Sequence, residues 1–378
     1  MKNEDDCGFR LGHAAGADWR SALESALAQA LPAPMGANLG FVYASDLLAE
    51  DFAAIVATCR ARSGVAQWVG TTGLGVCATG REYHDTKAVA VLLGAFPPES
   101  FELFSTRRAA PDEAQERSKP EHAQAKEGGF GVLHGDPRDP NLLGCIPAIA
   151  DLAGGWLIGG LTASRGAFPQ AAGTVEDGGL SGVLFDERVP ILTGIAQGCE
   201  PMGPYHRVDA CDEHVVLLLD DRPAYEVFCD EAGPLIARDP RRAAGTIFAG
   251  LPVEGSDRTD YVVRNLLGVD PRRGSVAVAA PIETGQRLMF CRRDPQAARG
   301  DLARMLSDLA RRLGRRTPRG ALYFSCVARG ERLFGGPSAE LAAIAQTIGP
   351  VPLVGFFGNG EIARDQLYAY TGVLTLFL

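Results

Sequence analysis

The residues with the most chemistry to offer lie in two short stretches near the C-terminus. Ser325, Cys326 and Arg329 sit at or just past the end of the apolar run Ala321 to Phe324. Asn359 and Glu361 sit among the glycines of Gly355-Phe356-Phe357-Gly358-Asn359-Gly360-Glu361. Together they offer one cation and two acceptor side chains to a small polar ligand. A guanidinium forks onto a carboxylate, so Arg329 suits the ligand's acid group. Glu361 and Asn359 accept hydrogen bonds, so they suit its ammonium. The bland alternative is that Arg329 and Glu361 pair with each other and hold two loops together. Cys326 becomes a nucleophile only beside a histidine or another cation. No histidine follows His214 in the sequence, and a buried structural cysteine is the simpler reading. Thr71, Thr72, Ser181, Thr193 and Gln197 lie in glycine-rich turns or on strands. Their hydroxyls and amides either line a pocket or satisfy buried backbone groups.

Other patterns carry less. Gly358-x-Gly360-x-x-Ala363 fits the dinucleotide fingerprint in form. That fingerprint needs a following helix, a further strand and an acid about twenty residues on. The residues after Ala363 read as strand, so a dinucleotide site is rejected. Cys199, His206, Cys211 and His214 resemble a metal set by composition, but their spacing lacks the usual short pairs and strand alternation points them apart. No metal ligands and no cofactor are assigned. His84, beside Asp85, reads as a solvated turn residue. No catalytic pair of carboxylates is visible, and the reading leans away from an enzyme.

These residues need elements to position them. Asp18 caps a first helix whose Leu23, Leu27 and Leu31 recur at helical spacing. Leu39 to Ala44 reads as a buried strand. Leu48, Phe52, Ile55 and Cys59 give a second helix its inward face. Val65–Val69, Val76–Ala78 and Lys87–Leu93 read as strands. Residues 105–128 are charged, hold two prolines and show no apolar stripe, which predicts a mobile surface excursion. A helix through the apolar stretch 142–163 would break at Pro147 and weaken at its paired glycines, so this stretch reads as a short buried helix and a buried strand, not a membrane span. Leu180–Phe185 and Val189–Ile195, around Asp186-Glu187-Arg188, read as a hairpin. His206–Cys211 and His214–Leu219 read as another. A boundary is placed near 221. Strands follow near 246–250, 259–265, 274–279 and 286–291. Asp294 then caps a long helix with Leu302, Leu306, Leu309 and Leu313 inward, and the chain closes on a strand, a helix, a strand and the apolar strand 372–378.

Two distant segments share a layout. A strand ending in Ser45, a helix and a returning strand lead into Val69-Gly70-Thr71-Thr72-Gly73-Leu74-Gly75. A strand ending near Ser325, a helix and a returning strand lead into Val354-Gly355-Phe356-Phe357-Gly358-Asn359-Gly360. Both turns fit V-G-x-x-G-x-G, and the matching order of elements favours duplication.

Composition bounds the class. At 378 residues the chain is long enough for two or three domains. A net charge of −9 argues against a nucleic-acid coat, which needs clustered cations to replace phosphate counterions. Nine cysteines, an odd number without a C-x-x-C pair, fit a reducing cytoplasm rather than a disulfide framework.

The chain resembles the FIST family, named for F-box and intracellular signal transduction proteins. The resemblance rests on ALYFSCVARG at 321–330, PLVGFFGNGEIA at 352–363, YAYTGVLTLFL at 368–378, GLSGVLFDERVPILTGIAQGCEPMGP at 179–204 and the 41–78 unit. It implies two linked halves, and a sensor of small ligands for which amino acids have been suggested. It supplies no catalytic residues. With no kinase, cyclase or F-box in view, it implies an output module on a separate signalling protein, or none. The expected architecture is α+β and two-lobed, with mixed, largely antiparallel sheets, flanking helices and a possible internal duplication. The expected domains are a tail at 1–17, a FIST N-like domain at 18–221 and a FIST C-like domain at 222–378. The rival readings are a ligand-independent interaction scaffold and, further off, an enzyme that depends on Cys326.

Overall fold

The computed structural model describes residues 8–107, 128–253 and 261–378. Most of the charged excursion expected at 105–128 lies outside the described residues.

The first elements are β1 (Phe9–Ala15), α1 (Trp19–Ala30), β2 (Leu39–Ser45), α2 (Phe52–Ser63), β3 (Gln67–Gly73), β4 (Gly75–Ala78), β5 (Arg81–His84) and β6 (Ala88–Gly94). Next come β7 (Phe101–Ser105), β8 (Phe130–Gly135), α3 (Leu142–Leu152), β9 (Leu157–Leu161), β10 (Pro169–Ala172), β11 (Thr174–Asp177) and β12 (Leu180–Phe185). After β13 (Ile191–Gln197) come β14 (Cys199–Pro201), β15 (His206–Asp212), β16 (Val215–Leu219), β17 (Arg222–Pro223), α4 (Ala224–Ala232), α5 (Pro234–Arg238), β18 (Ile247–Pro252), β19 (Tyr261–Asp270), β20 (Ser275–Val278) and β21 (Arg287–Arg293). The last group is α6 (Pro295–Leu313), β22 (Gly320–Cys326), α7 (Glu331–Phe334), α8 (Ala339–Ile348), β23 (Leu353–Gly358), β24 (Glu361–Ala363), β25 (Gln366–Tyr368) and β26 (Thr371–Phe377). The architecture is α+β, with largely antiparallel sheets and flanking helices.

The chain forms two compact units, one of residues 1–196 with 302–378 and one of 197–301. In the second, the pairings β21–β15–β16–β20–β19–β18–β21 are all antiparallel and close on themselves, giving a six-stranded barrel. The hairpin expected at 206–219 is present as β15 and β16. His206, one of the four residues that resembled a metal set, is held instead by carboxylates. Its Nδ1 lies 2.7 Å from Asp220 and its Nε2 2.8 Å from Glu231 on α4.

The first unit is built from three six-stranded sheets of one plan. Their orders are β1-β6-β2-β3-β10-β11, β7-β12-β8-β9-β24-β25 and β13-β26-β22-β23-β4-β5. Each centres on a parallel pair, β2–β3, β8–β9 or β22–β23, flanked by an antiparallel strand. The duplication legible in the sequence therefore extends to a third copy, residues 101–185. The copies exchange strands in a cycle. The hairpin β4–β5 joins the third sheet, β24–β25 the second and β10–β11 the first.

One glycine per copy makes this plan possible. Gly70, Gly159 and Gly355 pair with Val42, Leu133 and Tyr323 across the parallel strands. A Cβ at each would collide with that partner's carbonyl oxygen. The alternating side chains on one face then meet between the sheets. Tyr43, His134 and Phe324 occupy equivalent positions, and their ring centroids lie 5.5–6.3 Å apart. The opposite faces of the first and second sheets are covered by apolar helices. Leu23 and Leu27 of α1 and Ile55 of α2 pack on Val42, Ala44 and Ala171; Ile146 and Ile149 of α3 pack on Leu133 and Ile362.

Three sequence expectations need correction. Leu180–Phe185 does not form a hairpin with the strand after it. Both edges of β12 are taken by β7 and β8, so β13 joins the third sheet. Asp186 and Arg188 still make a turn, locked by side-chain bonds of 2.7–3.1 Å. Pro147 does not break its helix. It lies within α3, where burial of Cys145, Ile146 and Ile149 offsets the missing N–H. Finally, residues 9–15, read as tail, form β1 in full register with β6.

Candidate functional site

The glycine turns singled out in the sequence do converge. The amide of Leu74 donates to the carbonyl of Phe357 (3.1 Å), that of Ala163 to Thr72 (3.2 Å) and that of Asn359 to Leu161 (3.2 Å). These donors and acceptors are equivalent in the three copies, so the bonds form a closed ring at the C-terminal ends of the parallel strand pairs. Asn359 is exposed there. The Thr72 hydroxyl is buried and, among the described residues, has no hydrogen-bond partner.

Beneath the ring the facing side chains are polar. Thr71 shares a 2.7 Å bond with Thr162 and donates to the Pro169 carbonyl at 2.8 Å. Ser181 donates to Gln170 at 3.0 Å. His134 meets the Tyr43 hydroxyl through Nε2 at 3.1 Å, and its buried Nδ1 has no partner. Burial pulls the His134 imidazole down to about 3, so it is neutral. Glu361 is paired in register with Gly160. One of its oxygens accepts from the Thr371 amide (3.1 Å) and hydroxyl (2.8 Å), while the other is buried and unpartnered. Burial pushes the Glu361 carboxyl up to about 8, against the Thr371 bonds and the field of Arg329.

The other face of the third sheet differs from its counterparts. Val42 and Leu133 are replaced in register by Tyr323, Ala44 and Gly135 by Ser325, Ala171 and Ile362 by Cys77, and Val175 and Leu367 by Glu82. Where α2 and α3 supply apolar side chains, α8 supplies Glu340. Arg329 donates to one Glu340 oxygen through Nε (2.8 Å) and Nη2 (2.6 Å), and the Tyr323 hydroxyl reaches the same oxygen at 2.5 Å. Ser325 donates to the second oxygen at 3.2 Å. Both ends of this ion pair are wholly buried. Burial opposes the charge on Arg329, but Glu340 outweighs it and keeps the guanidinium cationic. The Arg329–Glu361 pair considered from sequence is therefore replaced. Arg329 grips Glu340, and Glu361 acts on it only through space. Nη1 of Arg329 makes the longest contacts, 3.3 and 3.4 Å to the carbonyls of Ala196 and Tyr370.

Cys326 is buried, and desolvation together with Glu361 pushes its thiol far up. That environment suppresses the thiolate that a nucleophile needs. Gln197 belongs to the second unit, where its backbone amide donates to Asp301 (2.7 Å) and its side-chain amide to the Tyr261 carbonyl (3.0 Å). Sequence reasoning missed Tyr323, Cys77, Glu82 and Glu340. Their signal is visible only when the three copies are laid over one another.

A family model described as FIST N domain matches residues 38–222, and one described as FIST C domain matches 224–364. Their junction falls inside the second compact unit. An uncharacterized protein of Mycobacterium bovis is 31% identical over 202 residues, 50% of this chain and 52% of that protein. The chain thus spans about half the length of that relative. An uncharacterized protein of Mycobacterium tuberculosis is 26% identical over 339 residues, covering 86% of this chain and 87% of its own length.

Proposed function

Because the chain belongs to the FIST family, whose domains are sensory and signalling modules, we propose that it is a cytoplasmic sensor that binds a small polar ligand and reports it to a separate partner protein. The ligand is amino-acid-like. Its carboxylate takes the Nη1 edge of Arg329 in place of the two long carbonyl contacts, near Ser325, Cys326 and Glu361. Asn359 and Thr72 flank the approach at the ring of turns.

One observation carries this reading. Two of three equivalent sheet faces are apolar, and the third buries Tyr323, Ser325, Cys77, Glu82, Arg329 and Glu340. A buried ion pair is a poor source of stability, and well-packed apolar residues usually do as well or better. The two sister copies supply that apolar solution in the same chain. The polar version is therefore best accounted for by a task other than folding. Ligand binding would alter partner contacts only by its differential affinity for two states.

The test is thermal stability of the full chain against a panel of amino acids and other small metabolites. A ligand at 100 times its Kd stabilises by about 2.7 kcal/mol. Ser325→Ala should reduce the shift for the hit. A panel without a hit, at concentrations up to tens of millimolar (about 100 times a weak Kd), removes this reading.

A further inference from the structure

Glu82 has an open valence. Its side chain is 1% exposed, yet among the described residues Oε1 has no hydrogen-bond partner. Its other oxygen lies 3.1 Å from Nε2 of His84, whose side chain is 36% exposed. The backbone around it is fixed. The Glu82 amide donates to the Ser338 hydroxyl at 2.9 Å, and Glu82 pairs in register with Cys77. Gly330, next to Arg329, packs against this pair with φ +73°. A Cβ there would stand 3.3 Å from His84 and 3.6 Å from Glu82. The positions equivalent to Glu82 are Val175 and Leu367, both packed into apolar layers.

A buried carboxylate oxygen without a donor is costly, because it has lost its water and gained nothing. Among the described residues its neighbours do not meet the need. Glu340 accepts from Arg329, Tyr323 and Ser325, and both Glu82 and Glu340 act on the Cys77 thiol as negative charges that push it up, adding to burial. A cation that donates hydrogen bonds fits this place. A slender group suits it, since Gly330 brings its backbone close to the His84–Glu82 pair. His84 is the partly exposed neighbour of this carboxylate.

We propose that Glu82 is the ammonium-binding residue of this layer, taking a primary amine of a small ligand through Oε1. The proposal deepens the sensory reading by assigning the amine end of the ligand, and it rests on that reading only for the identity of the rest of the molecule. Binding is non-covalent: the ammonium donates, the carboxylate accepts, and no bond breaks.

The probes are n-butylammonium chloride and n-butanol, equal in length and differing in the cation, with chloride held constant. Thermal shift and calorimetry on the full chain should show saturable binding of the amine and none of the alcohol. Glu82→Gln keeps the shape and removes the charge, and should weaken the amine by about tenfold or more. Equal binding of amine and alcohol to the wild type overturns the proposal, as does absence of amine binding, or amine binding unchanged in Glu82→Gln. If that variant does not fold, the wild-type comparison decides alone. The two readings fail separately. Amino acids that bind while butylammonium does not would remove the Glu82 subsite and leave the sensor. Butylammonium that binds at Glu82 without any metabolite hit in the panel would do the reverse.

Discussion

Glu361 holds its proton into neutral solution, and this gives the protein a pH dependence opposite to that of an ordinary salt-bridged acid. Its folded value of about 8 stands above the ordinary value of 4.5. Between these limits the native state binds more protons than the unfolded chain. The contribution is therefore full below about 4.5 and is lost as pH rises through about 8. Urea midpoints of the wild type should fall from pH 6.5 to pH 9 by more than those of Glu361→Gln, which mimics the protonated acid. Equal falls would mean that Glu361 does not hold this proton. Arg329 makes the complementary prediction. Arg329→Met strands the Glu340 carboxylate and should cost about 3–5 kcal/mol, while adding Glu340→Leu should recover much of it. Chemical denaturation of both variants reads the difference. The sequence marks Arg329 as a cation beside a strand end, but not its partner. Glu340 lies eleven positions on, between Ala339 and Leu341, where nothing in the chain order distinguishes it from a solvated helix residue. Only the sheet–helix packing makes that choice.

At the level of elements, the repeat explains which glycines matter. Gly70→Ala and Gly355→Ala drive a methyl into the carbonyl of a parallel partner strand, and each should destabilise by about 3 kcal/mol. Gly300, within α6 with nothing near its missing Cβ, should tolerate alanine or gain slightly from it. Denaturation midpoints of the three variants check this order. The same glycine explains what sequence reading saw and what it missed. V-G-x-x-G-x-G appears at 69–75 and 354–360, but the second copy reads Ile158-Gly159-Gly160-Leu161-Thr162-Ala163-Ser164. It keeps the first glycine, the one under steric demand, and replaces the other two, so the pattern fades while the fold persists. The first strand was hidden for another reason: β1 mixes Arg10 and His13 with Phe9, Leu11 and small residues and gains its identity from β6. In the barrel, His206 ties β15 to α4. Burial pulls its imidazole down, but bonds to Glu231 and Asp220 outweigh this and raise it above 6.5. Its stabilising contribution should be full below about 6.5 and fade as pH rises through the folded value. Hydrogen exchange of α4 amides should therefore quicken with pH beyond the intrinsic rate, and His206→Gln should flatten that excess.

On the scale of the whole molecule, the first unit is one cooperative body. No copy owns a complete sheet, because each lends a hairpin to another. Loss of one copy therefore opens two sheets, and unfolding of the three should coincide by any probe. The chain leaves this unit after Ala196 and returns at Leu302. The two points are held near each other, since Arg312 bonds the Thr193 carbonyl at 3.0 Å and Gly194 packs against Met305. Replacing residues 199–298 with a short Gly/Ser linker should leave the three sheets folded, because closing such a loop costs little. Circular dichroism and a single sharp melting transition would check this.

The rings of Phe9 and Phe377 stack with centroids 5.4 Å apart, so the first strand and the last are neighbours in space. A bridge of a few residues from Leu378 to Gly8 would thus make the backbone a loop without ends, in which three similar segments follow one another and none is first. The order in which they are translated then becomes a matter of where the loop is cut. New termini opened in the turn between Gly94 and Phe101 would produce a reordered gene whose product carries the same pairings, and with them the same polar layer beneath α8.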